Sequence, residues 1–171
     1  MKYPLIQKRL FPFLLIGISV AMTVSCYVLS RNDAAFSMTM PYVSAGCVVF
    51  VLYVIGRFLA FRLLYSLGED YVDLSFTVYR IRETTSTAIF KIELSGNETL
   101  VPFDKKGKKS LKKKKKLGVF TQNLIPTYPY ALTCEVDGVE GYILLELNEA
   151  YKKAIETRIE RARRIASFDI E

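Results

Sequence analysis

Nine lysines crowd into residues 105–116: Lys105, Lys106, Lys108, Lys109, Lys112, Lys113, Lys114, Lys115 and Lys116. An ammonium is a compact, strongly hydrated point charge, so such a run attracts phosphates and carboxylates by charge and not by shape. Three uses of it are open. It is a solvated insertion whose charge keeps a domain soluble. It is a contact for anionic lipid headgroups, each lysine adding about 1 kcal/mol within a Debye length of the surface. Or it meets the phosphates of a nucleic acid. The last is disfavoured. The run holds no arginine and no aromatic residue, and base readout and stacking depend on those. Like charges repel and little here is apolar, so residues 104–117 read as a flexible loop, neither helix nor strand.

Catalytic chemistry has little to work with. Histidine is absent, which removes the commonest general base and the commonest metal ligand. Cys26, Cys47 and Cys134 show no C-x-x-C spacing and read as small buried side chains with reduced thiols. A Cys26–Cys47 disulfide is the alternative. Cys134 has no imidazole to activate it. The remaining acid–base groups are carboxylates, among them Glu69, Asp70, Asp73, Glu83, Glu93, Glu98, Asp104, Glu135, Asp137, Glu140 and Glu146. Most fall on the polar side of alternating segments or in turns, where solvent exposure explains them. No glycine-rich phosphate loop, nucleophile elbow or metal cluster occurs. The expectation is therefore a protein that is not an enzyme, with no catalytic, metal or cofactor-binding residue and no cofactor.

The elements that carry these residues follow from charge and hydropathy. The chain has 171 residues, with 24 Lys and Arg against 17 Asp and Glu. Outside residues 105–116 the balance is 15 against 17, so one positive element sits on a near-neutral body. Residues 10–30 and 34–56 are apolar runs, and 58–67 continues the second, broken only by Arg62. A bilayer core of about 30 Å takes roughly 20 helical residues. These runs predict spans at about 10–30 and 36–58, the second helix extending to about 67 and ending at Gly68, which can adopt the left-handed conformation. A signal peptide is the competing reading of the first run, because Lys2, Lys8 and Arg9 precede it. That run is longer than an ordinary signal core and a second span follows it. Thr23-Val24-Ser25-Cys26 is a poor lipobox.

Positive flanks stay cytoplasmic. Lys2, Lys8 and Arg9 lie before the first span, and Arg57 and Arg62 close the second, while Arg31 and Asp33 cancel between them. Residues 1–67 thus read as a two-helix hairpin of a multi-pass protein in the cell (plasma) membrane, with both termini cytoplasmic. The Asn97-Glu98-Thr99 sequon then stays unmodified. Gly17, Ala21 and Ser25 recur every four residues, and with Ala45 and Gly46 they form the candidate helix-packing face. That face serves the hairpin itself, a homo-oligomer, or a partner subunit.

Residues 68–171 change period. Strands are expected at about 71–81, 87–94, 99–103, 118–123, 130–136 and 139–147, then a helix at 148–166 with Asn148 as its N-cap. Asp137-Gly138 marks a two-residue hairpin turn. The fold class is a membrane α-helical hairpin followed by an α+β domain, an antiparallel sandwich or partly open barrel of six or seven strands capped by a C-terminal helix. The stretches 68–78, 87–94 and 142–165 make the chain resemble the bacterial PH-like membrane proteins, in which two N-terminal spans precede such a domain. The tryptophan that often marks that family's terminal helix is absent here. The resemblance implies a non-enzymatic membrane protein whose cytoplasmic domain is a binding or scaffolding module, with lipid or protein ligands. The alternative is a structural or accessory subunit of a larger membrane complex, assembled through the hairpin.

Overall fold

The computed structural model describes residues 2–5, 10–32, 37–68, 73–123 and 125–168. The chain divides into two units, Gln7–Phe61 and a second made of Met1–Ile6 together with Arg62–Glu171.

The first unit is a pair of helices, α1 (Leu10–Asn32) and α2 (Met40–Val54), the latter running on through a π-helical turn, Ile55–Leu59. Leu10–Arg31 and Met40–Leu59 are each long and apolar enough to cross a membrane. In α1 Ser19 and Cys26 are buried and Ile16 and Thr23 half-buried. In α2 Ser44, Cys47 and Val51 are half-buried. This three-and-four spacing is the seam of two packed helices. Ser44 Oγ donates across it to the Thr23 carbonyl at 3.5 Å, and Thr23 Oγ1 donates back to the Ser19 carbonyl at 2.9 Å. Cys26 and Cys47 are free thiols. The expected packing face does not form the seam of this pair. Gly17, Ala21, Ser25, Ala45 and Gly46 are all exposed, and a Cβ placed on Gly17 or Gly46 would meet nothing within 4 Å. Gly17 lies two residues from Ser19, about 200° around the helix. Close approach uses Ser19, Thr23, Ser44 and Cys47, which are also small, so side-chain size alone does not identify the seam.

The second unit holds two four-stranded sheets and a helix. The first sheet contains β1 (Lys2–Pro4), β2 (Arg62–Leu67), β3 (Ser75–Arg82) and β4 (Thr85–Glu93), all antiparallel in that order. The second contains β5 (Leu100–Pro102), β6 (Lys115–Phe120), β7 (Pro129–Val136) and β8 (Val139–Glu146), in the order β5-β7-β8-β6. The helix α4 (Glu149–Phe168) follows; between α2 and α4 lies the short α3 (Lys105–Ser110). The fold is α+β, and its strands and last helix fall close to the expected ones from β3 onward. Residues 71 and 72 of the first expected strand lie outside the described residues, and Gln122 and Asn123 stand beyond the end of β6.

Three expectations are overturned. Residues 62–67 are a strand and not the end of the second helix. Leu63, Tyr65 and Leu67 are buried between Arg62, Leu64 and Ser66, a period of two. An unbroken apolar run is compatible with either period, and here burial of alternate residues decides it. Residues 2–4, read as a basic flank, form β1 on β2, with Lys2 opposite Ser66, Tyr3 opposite Tyr65 and Pro4 opposite Leu64. The globular unit therefore does not begin at residue 68. Thirdly, the second sheet is mixed, because β6 pairs with β8 in parallel. β5 and β6 point the same way from opposite edges of that sheet. Strands so related need a crossover and not a tight turn, and residues 103–114 are that crossover.

Polar joints tie the layers together. Tyr65 is fully buried; its hydroxyl donates to the Phe120 carbonyl and accepts from the Glu146 amide at 3.0 Å, joining β2 to the second sheet. Gln122 Oε1 accepts from the Leu63 amide at 2.6 Å. On α4, Tyr151, Ile155, Ile159 and Ala162 are buried, and Tyr151 stacks on Tyr3 at 4.9 Å. The Arg158 guanidinium donates to the Gly68 and Asp73 carbonyls at 3.0 and 3.1 Å. Arg163 Nε donates to the Gly96 carbonyl at 3.2 Å. Gly96 has φ of 94°, and a Cβ there would sit 2.5 Å from the Arg163 nitrogen, so only glycine fits. The local signals behave as expected at Asp137 and Gly138, with φ of 52° and 75°, and at Asn148, whose Oδ1 accepts from the Tyr151 amide at 2.7 Å. Asn148→Ala should lower the unfolding free energy by about 1 kcal/mol, the ordinary value of an N-cap, read as a lower urea midpoint with an unchanged slope.

Candidate functional site

The lysine-bearing crossover is ordered, against expectation, and each of its fixed points has a local cause. Asp104 caps α3: its Oδ1 accepts from the Gly107 amide at 2.7 Å. Gly107 is buried, and a Cβ on it would lie 2.0 Å from the Pro102 carbonyl oxygen, so the chain passes β5 at backbone contact. Leu111 turns inward and is 4% exposed. The Lys114 amide closes the following turn on the Leu111 carbonyl at 2.9 Å. Lys115 and Lys116 then enter β6 opposite Gly141 and Tyr142. Sparse apolar anchors inside a charge run are easy to overlook, because Gly107 and Leu111 contribute almost nothing to average hydropathy.

All nine lysines are exposed. Lys108 Nζ lies 4.9 Å over the Phe103 ring. Lys114 Nζ lies 3.9 Å from a Glu140 carboxylate oxygen. Among the described residues no other lysine of the run has an ion-pair partner. Asp104, the nearest acid in sequence, has one carboxylate oxygen committed to its cap. The arrangement is thus a set of ammonium groups on an ordered backbone that crosses one sheet, starting beside Pro129 and ending beside Glu140. It has no walls that would select a small ligand. It can raise the local concentration of any extended polyanion, and because the backbone is already fixed, binding loses less conformational entropy than a floppy loop would.

A second cluster borders it. A cavity of about 90 Å³ is lined by Ser95, Asn97, Glu98, Lys114, Thr133 and Cys134, among others. Of the carboxylates that line it, Glu98, Glu135 and Glu140, the first is tied into a turn. Glu98 accepts from the Ser95 amide at 3.0 Å, the Ser95 hydroxyl at 3.0 Å and the Gly96 amide at 2.9 Å, which locks the turn. Burial, aided by the Glu98 charge, pushes the Cys134 thiol up to about 11. At pH 8 a thiol raised from 9 to about 11 has about a hundredfold less thiolate, the reactive form. Cys134 should therefore resist iodoacetamide at pH 8 in the folded protein and label readily in urea; mass spectrometry of the alkylated peptide reads this. Among the described residues no group of three or more His, Cys, Asp or Glu side chains is placed to hold a metal ion.

The two sets of sequence candidates fall in different units. The lysines belong to the globular unit. Gly17, Ala21, Ser25, Ala45 and Gly46 belong to the helical one and lie off its seam. No protein-family model matches the chain, and neither a curated protein nor a solved structure is similar to it.

Proposed function

We propose that the chain is a non-enzymatic, membrane-anchored binding or scaffolding module of PH-like type, whose lysine crossover meets anionic lipid headgroups. The observation that carries this is the ordered crossover with eight of its nine lysines lacking a carboxylate partner among the described residues. Surface charges with no internal partner contribute little to folding, whereas a lysine near an anionic leaflet contributes about 1 kcal/mol to contact. Two four-stranded sheets with a terminal helix are compatible with the PH-like resemblance; the parallel β6–β8 pair departs from it.

Topology supports the anchored reading. β1 precedes the apolar helices, β2 follows them, and the two are paired. Both ends of the helical pair thus return to one sheet, which favours termini on one side, and the basic flanks favour the cytoplasmic side. The test is binding to anionic and zwitterionic vesicles before and after conversion of all nine lysines to glutamine. Anionic-selective binding that the substitution abolishes supports the proposal; unchanged binding overturns it. The alternative, a subunit assembled through the hairpin, is favoured by the small-residue faces that the helices leave uncovered. Exchange of residues 10–59 for an unrelated hairpin of equal length separates the two. If cellular function survives the exchange, the globular unit carries it.

A further inference from the structure

A second cationic surface lies at the end of the first sheet from which the chain leaves for the apolar helices. The β3–β4 hairpin closes there in a fingertip that extends one residue pair beyond β2, and every residue from 82 to 88 is exposed. Arg62, the first residue of β2, follows directly on Phe61, the last residue of the helical unit. Register sets Ile81 opposite Arg62 and Arg82 opposite Thr85. Adjacent residues of a strand are about 3.3 Å apart along it, so Arg80 and Arg82 flank the level of Arg62. Alternation sends Arg62 and Ile81 to one side of the sheet and Arg80 and Arg82 to the other. All three arginines are exposed, and Glu83 is the only acid of the tip.

We propose that this fingertip, with Arg62, docks on the phosphates of the bilayer that the two apolar helices enter, and so fixes the orientation of the globular unit. The occupant follows from connectivity. Arg62 comes three residues after Leu59, the end of the second candidate span, and register brings the fingertip to the level of Arg62 within the sheet. A guanidinium binds phosphate through two parallel hydrogen bonds, which a point-charge ammonium does not. The lysine crossover is a different element: it belongs to the second sheet, runs from beside Pro129 to beside Glu140, and carries ammonium groups only. The inference rests on the helices being membrane-inserted, but not on any role for the lysines.

The test is hydrogen exchange of the full-length protein in nanodiscs loaded with one copy each. In discs containing phosphatidylglycerol, amides of residues 82–88 should exchange about tenfold more slowly than in discs of phosphatidylcholine alone. The combined substitution Arg62→Gln and Arg82→Gln should remove that difference, with amides of β7 and β8 unchanged as the check of folding. Equal exchange of 82–88 in the two lipids overturns the proposal without reference to any variant. So does slowing that survives the substitution. A protein carrying glutamine at all nine lysine positions should keep the fingertip slowing, so failure of the lysine reading and failure of this one are separately visible.

Discussion

Replacement of residues 7–61 by Asn-Gly is expected to yield a soluble domain that unfolds cooperatively, whereas the fragment 68–171 is expected not to fold. The pairing of Lys2 with Ser66, Tyr3 with Tyr65 and Pro4 with Leu64 continues in the Leu5 amide, which donates to the Leu63 carbonyl at 3.3 Å. β1 and β2 are therefore still paired at the ends that the excision joins. A two-residue Asn-Gly turn is the favoured connection at such a point, so the apolar helices can be excised with the sheet left whole. The shorter fragment loses β1 and β2. Leu63, Tyr65 and Leu67 are 3%, 0% and 2% exposed, and burial of such a side chain contributes about 1.5–3 kcal/mol. Tyr65 also takes with it both hydrogen bonds to the second sheet, to the Phe120 carbonyl and from the Glu146 amide, each contributing about 1 kcal/mol net. The sum reaches the 5–15 kcal/mol by which a domain is ordinarily stable. Urea unfolding followed by circular dichroism checks both halves. A cooperative transition in 68–171 at the midpoint of the excised protein would falsify the assignment of β1 and β2 to the folded core.

That experiment exposes what the sequence made legible and what it hid. Signals confined to a few neighbouring residues carried through: Asp137-Gly138 turns, Asn148 caps, and Tyr151, Ile155, Ile159 and Ala162 share the buried face of α4. The misreadings share one cause, which is pairing between segments far apart in the chain. Nothing near Lys2 announces that Ser66 lies opposite it. Residues 62–67 adjoin an apolar span, so their alternation merges into it, and only a partner on each side turns them into a strand. The crossover was hidden in the same way. Its order is imposed by where β5 and β6 lie, at opposite edges and pointing alike, and by the contacts of Gly107 and Leu111. Among the candidate site residues, the lysines were legible as charge but not as a fixed array. The arginines of the finger were legible as neither, because their common level is set by the register of β2 on β3. The small-residue stripe does not supply the seam within the helical pair for a further reason. Ser19, Thr23 and Cys26 are small as well, and rotation about the helix axis, not size, decides which small residues meet.

Neutralising the nine lysines in the excised domain is the other change with a large expected effect, and its size can be bounded. A lysine near an anionic surface contributes about 1 kcal/mol, and the Debye length at 0.1 M salt is about 10 Å. A crossover that spans a whole sheet does not bring every ammonium within that distance. If about half do, the loss is about 4–5 kcal/mol, roughly a thousandfold in partition at 1.4 kcal/mol per factor of ten. Conversion to glutamine should therefore reduce sedimentation with phosphatidylglycerol vesicles by at least about a hundredfold. Folding should be almost untouched, because all nine side chains are exposed and exposed substitutions usually stay within about 0.5 kcal/mol. Gly107→Val separates charge from its presentation. All nine lysines remain, but the new side chain meets the Pro102 carbonyl and must push α3 away from β5. Overpacking of this kind costs about 1–3 kcal/mol, and binding should weaken severalfold while keeping its salt dependence. Should Gly107→Val bind as tightly as the parent, the fixed array is irrelevant and net charge alone suffices. Should the glutamine protein retain its binding at 0.1 M salt, the lysines are a solvated surface and the domain meets lipid elsewhere.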